Sequence, residues 1–201
     1  LKDQIIEIDY NKDNLSIKGL GKIKLEKEFE NIDFFISKIE DKFSFDTQID
    51  LEKTSLIIDF LNFKKDEKLK TKLIINGNRN DQNELNFNEI IIEEKNNKIF
   101  LENLLLDNNN LIIKVDKIDL EYIDTENKKN KFLILRNNKN NYKIVGSIFN
   151  ANKLIDNLLK NKSDDNFKIL KNDISLSLNL DEAYIDKKNT IKNLSGKLNI
   201  K

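Results

Sequence analysis

Apolar and polar residues alternate along most of the chain, in short runs separated by breaks rich in Asn, Asp and Lys. The clearest run is Ile174-Ser175-Leu176-Ser177-Leu178-Asn179-Leu180. A period of two places the aliphatic side chains on one sheet face and Ser175, Ser177 and Asn179 on the other. A helix would spread the same residues around its whole circumference. The run predicts a strand with one wet face. Phe43-Ser44-Phe45 leading into Ile49-Asp50-Leu51, and Leu85-Asn86-Phe87 leading into Ile90-Ile91-Ile92, follow the same grammar. Leu111, Ile113 and Val115 alternate, as do Ile118, Leu120 and Tyr122, but in opposite parity. Either a β-bulge or two separate strands restores a common face there.

The breaks have turn chemistry without proline. Asn137 to Asn141 separates two alternating runs, and Asp107 to Asn110 separates two more. Asn and Asp tolerate the left-handed backbone region and bond their own backbone, so they stand in for glycine in tight connections. Consecutive antiparallel strands follow from this. Ile32, Phe34 and Ile36 alternate, and Glu40-Asp41 can turn the chain into Phe43, so a hairpin is favoured over a helix there. One segment departs from the pattern: Leu154, Ile155, Leu158 and Leu159 form one stripe of a short amphipathic helix, with Asn150 or Asn152 as N-cap. A weak repeat sets Gly or Asn before Leu after an alternating run, at Gly19-Leu20, Asn103-Leu104 and Asn193-Leu194. The expected fold is one mostly-β segment over residues 1–201, an elongated antiparallel meander or curved sheet with one short helix near residues 151–161.

Composition narrows the function. Lys plus Arg and Asp plus Glu both number 35 in 201 residues, so the chain lacks the basic surplus with which proteins neutralise phosphates, and nucleic acid is not an expected partner. There is no Cys, hence no disulfide and no thiolate site, and no His, the commonest general base and metal ligand. Met, Trp and Pro are absent too, while Lys, Asn and Ile abound. No apolar run approaches the roughly 18 residues of a membrane span. The chain opens on Leu1 and stops within an alternating run, Lys197 to Lys201, which leads us to expect a fragment whose anchor or export signal lies outside it.

Remaining chemistry is sparse. Glu93-Glu94 and Asp164-Asp165 are adjacent acids, which a strand points to opposite faces. Asp119 and Glu121 share a face with Lys117, as a solvated surface would. Gly19-Leu20-Gly21 lacks the rest of any phosphate-binding fingerprint. The Lys-rich stretch Lys64 to Lys72 carries interspersed acids; it could meet anionic headgroups, but a solvated strand face is the favoured reading. No enzyme and no cofactor is expected. What remains is the apolar face itself, which packs into a closed core or lines an open groove; periodicity alone does not separate the two.

Tyr142 to Leu159, with Gly146 and the Leu-rich stripe, reads as strand, glycine, polar turn and brief helix; Ile174 to Ile185, then Ile191-Lys192-Asn193-Leu194-Ser195-Gly196-Lys197-Leu198, read as two further strands. In this succession the second half resembles AsmA-like proteins, bacterial relatives of bridge-like lipid-transfer proteins. The likeness covers residues 85–201 and is structural, so it carries no catalytic residue. It implies a periplasmic β-rich body tethered to the inner membrane by a segment outside this chain. It also implies an apolar groove for phospholipid or another acyl-chain lipid, and a part in lipid transport or outer-membrane homeostasis. The candidate lining residues are Ile174, Leu176, Leu178 and Leu180, then Leu111, Ile113 and Val115. Open sheet edges predict pairing with flanking segments of a longer chain.

Overall fold

The alternating runs become strands of one very large sheet. In the computed structural model, residues 2–80, 82–153, 155, 171–186 and 188–200 are described. The strands are β1 (Lys2–Asn11), β2 (Asn14–Leu25), β3 (Glu28–Ile39), β4 (Lys42–Leu51), β5 (Leu56–Ile58), β6 (Phe63–Lys65), β7 (Thr71–Arg79), β8 (Leu85–Glu94) and β9 (Asn97–Leu106). They continue as β10 (Ile112–Lys114), β11 (Lys117–Ile123), β12 (Lys129–Asn138), β13 (Asn141–Asn150), β14 (Ile174–Tyr184) and β15 (Thr190–Ile200). Thirteen of them form one open sheet in the order β1-β2-β3-β4-β7-β8-β9-β11-β12-β13-β14-β15, with β10 beside β9. Strands β5 and β6, joined by a 3-10 turn at Asp59–Leu61, make a separate two-stranded lobe.

The mostly-β expectation holds, and the Glu40-Asp41 hairpin joins β3 to β4. The purely antiparallel meander does not hold. Strands β13 and β14 pair in parallel, Tyr142 beside Leu176 and Ile144 beside Leu178. A parallel pair needs a crossover that returns the chain to the same end, and residues 151–173 supply it. The expected helix at 151–161 falls on that crossover. Only Ala151, Asn152, Lys153 and Ile155 of it are described, with one helical bond from Ile155 N–H to Ala151 O at 2.8 Å; the rest lies outside the described residues.

Three connections share one sequence-encoded turn. Asn80, Asp107 and Asp124 each use a side-chain oxygen to accept the N–H groups two and four residues ahead, at 2.9–3.0 Å. The residue three ahead is left-handed each time: Asn83 (φ 60°), Asn110 (φ 61°) and Asn127 (φ 62°). An Asx at the first position and Asn at the fourth is thus the local code for turning in this glycine-poor chain.

The weak repeat also has a physical basis. Asn103 and Asn193 both sit inside strands with φ 52°. The inward-facing parity flips at Asn103 in β9, and also near Asn88 in β8 and Asp116 between β10 and β11. A second line of flips crosses β13, β14 and β15 near Ser147, Asp181 and Asn193. Because neighbouring strands flip together, the ladder holds register, Glu89 opposite Glu102 and Phe87 opposite Leu104 in the first line, Leu180 opposite Leu194 and Glu182 opposite Lys192 in the second. Such aligned bulges bend a sheet without losing the apolar side. They resolve the parity change between Val115 and Ile118: β10 and β11 are separate strands on the same neighbour, β9, and Ile112 of β10 and Ile118 and Leu120 of β11 pack into the apolar clusters.

Candidate functional site: an apolar sheet face capped at one end

Register joins the apolar residues of successive strands into rows that cross the whole sheet. One row reads Ile6, Gly19, Phe34, Thr47, Ile75, Ile90, Leu101, Ile118, Ile134, Ile144, Leu178 and Gly196, one residue from each of twelve strands. Thr47 is its only polar side chain. A parallel row runs from Ile32 and Ile49 through Leu73, Ile92, Ile99, Leu120, Phe132 and Gly146 to Leu180 and Leu194. Three glycines on this face lie beside a ring on the adjacent strand, Gly19 beside Phe34, Gly77 beside Phe45 and Phe87, and Gly146 beside Phe132, whereas Gly196 in the first row has no atom within 4 Å of a Cβ position. A side chain at Gly146 would strike Lys131 O and the Phe132 backbone.

The face is covered unevenly. The β5–β6 lobe lies across its second-row end, where Leu61 and Phe63 pack with Ile92, Ile99, Leu120, Tyr122, Phe132 and Leu180 into a dry core. Tyr122 donates its hydroxyl hydrogen to Leu61 O at 2.9 Å, its ring meets Phe63 edge-on, and Thr125 Oγ1 donates to Asn62 Oδ1 at 2.6 Å. Burial pushes the Tyr122 phenol well above its ordinary pKa, with Asp124 adding to the effect. A second cluster, Leu104, Val115 and Tyr142 with Ile112, Ile174 and Leu176, closes the opposite end of the β9–β14 stretch, where Lys171 N–H bonds Ile112 O at 2.9 Å.

Toward β1 no described residue covers the face. Ile17, Phe34, Ile36, Phe45, Ile75 and Ile90 are half-buried, and Ile6, Ile8 and Tyr10 are 42%, 65% and 71% exposed. The more exposed part therefore lies in the first half of the chain, with Leu198 at the β15 edge, 40% exposed, as a counterpart in the second. Of the residues expected to line a groove, Ile174, Leu176 and Val115 meet in the second cluster. Leu178 is half-buried beside Ile144, and Leu180 is buried under the lobe. Leu111 and Ile113 are half-buried but belong to neither cluster, and Ile112 stands in their place. The alternation at Ile32-Phe34-Ile36 and Phe43-Phe45 signalled the missed open residues. What the sequence did not carry was which strands the lobe covers.

The lobe is also held by buried charge. Glu30, 2% exposed, accepts the N–H groups of Glu52, Lys53 and Thr54 at 3.0, 2.7 and 2.5 Å. Burial alone would raise its pKa, but these donors outweigh it and hold the carboxyl below its ordinary value. Lys65, wholly buried, donates to Glu52 O and Thr54 O at 3.3 and 2.7 Å. Its pKa is lowered by desolvation, opposed by Glu30, Glu94, Glu52 and Glu67. Lys65 thus overturns the expectation that Lys64 to Lys72 is solvated throughout.

The wet face holds a hollow of about 860 Å³ lined by Asp50, Lys72, Glu93, Lys98, Asp119 and Glu121 among others. Several of its charges pair internally or with neighbours, Lys98 with Glu93, Lys117 with Asp119, and Lys129 and Lys131 with Glu121. Among the described residues no three acids are placed to hold a metal ion. The chain matches no family model, no curated protein and no solved structure.

Proposed function

We propose that this chain is a non-catalytic segment of a lipid-handling trough, in which the apolar sheet face shields acyl chains from water. The observation that carries the reading is the register-matched apolar row across twelve strands: the neighbouring row is buried under the lobe at Ile92, while from Ile6 to Ile90 the described residues leave the side chains of the first row half-buried or exposed. A dry core needs no such extension beyond its cover. An acyl chain laid along the rows would remove apolar surface from water at roughly 25 cal/mol per Å², with no demand for a particular headgroup. The AsmA-like resemblance of residues 142–198 agrees with this role, and with it we place the segment in the periplasm, tethered through chain outside these residues.

The test is direct. The purified chain, incubated with mixed phospholipid vesicles and re-isolated, is analysed by native mass spectrometry, with a photocrosslinking amino acid at Phe45, Ile75 or, as a control under the lobe, Leu180. Bound phospholipid with crosslinks at Phe45 and Ile75 but not Leu180 is the expected result. No bound lipid and no crosslink at any of the three would remove the reading and leave a structural β-module.

A further inference from the structure

Among the described residues, both outer strands of the sheet lack a second neighbour, β1 at one edge and β15 at the other. Such edges expose N–H and C=O groups that recruit another strand. Their charges are opposite. On β1, Glu7 and Asp9 lie on the wet face, opposite Lys18 and Ser16. On β15 the only charged residues are Lys192 and Lys197, and Lys197 lies on the wet face opposite Ser177.

Strand direction limits how two copies can meet with their apolar faces continuous. Ten of the eleven pairings between β1 and β15 are antiparallel, so the two edge strands point the same way. A translated copy therefore presents β1 parallel to β15. Two β1 edges would instead meet antiparallel, and every centre from Ile6 to Asp9 would set acid against acid: Asp3 on Asp9, Glu7 on Glu7, Glu7 on Asp9, or Asp9 on Asp9. Like charges directly opposite are destabilising.

We infer that copies of this chain join head to tail, β15 of one parallel to β1 of the next, in the register that sets Glu7 beside Lys197. Three separate features match in that register. The charges pair on the wet face. On the apolar face Ile6, Ile8 and Tyr10 come beside Gly196, Leu198 and Ile200, and Gly196, with no atom within 4 Å of where a Cβ would stand, has room for Ile6. The left-handed bulge at Asp3 (φ 51°) falls beside the one at Asn193 (φ 52°), so the bend crossing β13, β14 and β15 continues into the next copy. Slipping by two residues keeps the faces but misaligns the bends. The one like-charge contact, Lys2 with Lys192, lies next to Asp3. A heterologous joint of this kind need not close, and it extends the apolar rows from copy to copy.

The absence of cysteine makes the joint easy to test. Ile8 and Leu198, 65% and 40% exposed, are replaced together as Ile8→Cys and Leu198→Cys. Within one copy they sit on opposite edges, eleven strand spacings or about 50 Å apart along the sheet, so a disulfide between them must join two copies. Mild oxidation is expected to give a reducible ladder of dimers and larger species. The control pair, Ile8→Cys with Leu194→Cys, is about 13 Å out of register and should link about tenfold less or lower, since a disulfide spans Cα atoms only about 4.4–6.8 Å apart. Adding Glu7→Lys should suppress the ladder, and Lys197→Glu on top of it should restore it. Far-UV circular dichroism confirms that each variant keeps its β content. A folded chain that sediments as a monomer and gives no ladder overturns the inference, and assigns the edges to chain outside residues 1–201 or to another protein. Equal linking of both pairs, or a charge swap that restores nothing, overturns it as well.

Discussion

Glu30 and Lys65 hold one short segment from opposite sides: the carboxylate takes the N–H groups of Glu52, Lys53 and Thr54, while the ammonium takes the carbonyls of Glu52 and Thr54. That segment is where the chain leaves β4 for the lobe. Both side chains are almost fully buried, so removing either strands a charge. Glu30→Gln or Lys65→Met alone should cost about 3 kcal/mol. The double variant should cost clearly less than the sum, because the two act on one segment. Urea titrations of the four proteins measure this, and strict additivity would deny the shared clamp.

The clamp also has a pH signature. The pKa of Glu30 is lowered in the folded chain, so its contribution is fully present above the ordinary carboxylate value near 4.5 and fades as pH falls through the folded value. Lys65 gives the same direction with pH for the opposite reason, since its charged form is penalised rather than favoured. Its folded pKa is also lowered, so the fold is penalised while Lys65 is charged, and its share of stability rises as pH climbs from the folded value toward 10.5. Glu30→Gln should flatten the acid limb of stability against pH, and Lys65→Met the alkaline limb. Unchanged limbs in both would refute the assignment.

Turns carry the next expectation. Glu40 occupies a hairpin position at φ 55°, where an L side chain costs roughly 1 kcal/mol or more. Glu40→Gly should therefore raise stability by up to about 1 kcal/mol. Asn127, at φ 62° after the Asp124 turn, should show the reverse: Asn127→Gly is tolerated, while Asn127→Ala loses about 1 kcal/mol. Thermal melts suffice to rank the three.

These turns show what the sequence makes legible. An Asx followed three residues later by Asn is a local signal, and strand alternation is local too, so strands and hairpins could be read directly. Parallel pairing of β13 with β14 was not legible, because it depends on where a long crossover returns the chain. Burial of Lys65 was not legible either. Its neighbours Lys64 and Asp66 are solvated, and only the fold brings Glu30 and Glu94, distant in sequence, around it. The candidate face was visible as strands with one apolar side, but the side that stays open was set by the lobe between β4 and β7, whose short strands carry no long alternation.

Two glycines separate close approach from open space. At Gly146 an added Cβ would lie about 2.5 Å from Lys131 O and the Phe132 Cβ, where backbone must shift. Gly146→Ala should cost about 1–3 kcal/mol, the range typical of overpacking. At Gly196 nothing lies within 4 Å and φ is not positive. Gly196→Ala should leave stability unchanged or raise it by about 0.4–1 kcal/mol through the unfolded chain. Equal losses at both sites would contradict the stated packing.

The division between covered and open face gives the sharpest contrast. Ile92 is buried beneath the lobe, and Ile75 lies two strand residues along on the adjoining strand, half-buried and outside both apolar clusters among the described residues. Ile92→Asp places an unpaired carboxylate in a dry core and should unfold the chain or cost at least about 4 kcal/mol. Ile75→Asp can hydrate its carboxylate across the open side, so its cost should stay near 1–2 kcal/mol, about the burial of one aliphatic side chain. In the lipid-capture assay the same Ile75→Asp variant should lose most bound phospholipid while remaining folded. If Ile75→Asp instead unfolds the chain as Ile92→Asp does, the face beyond the lobe is closed core, and no trough exists for lipid to enter.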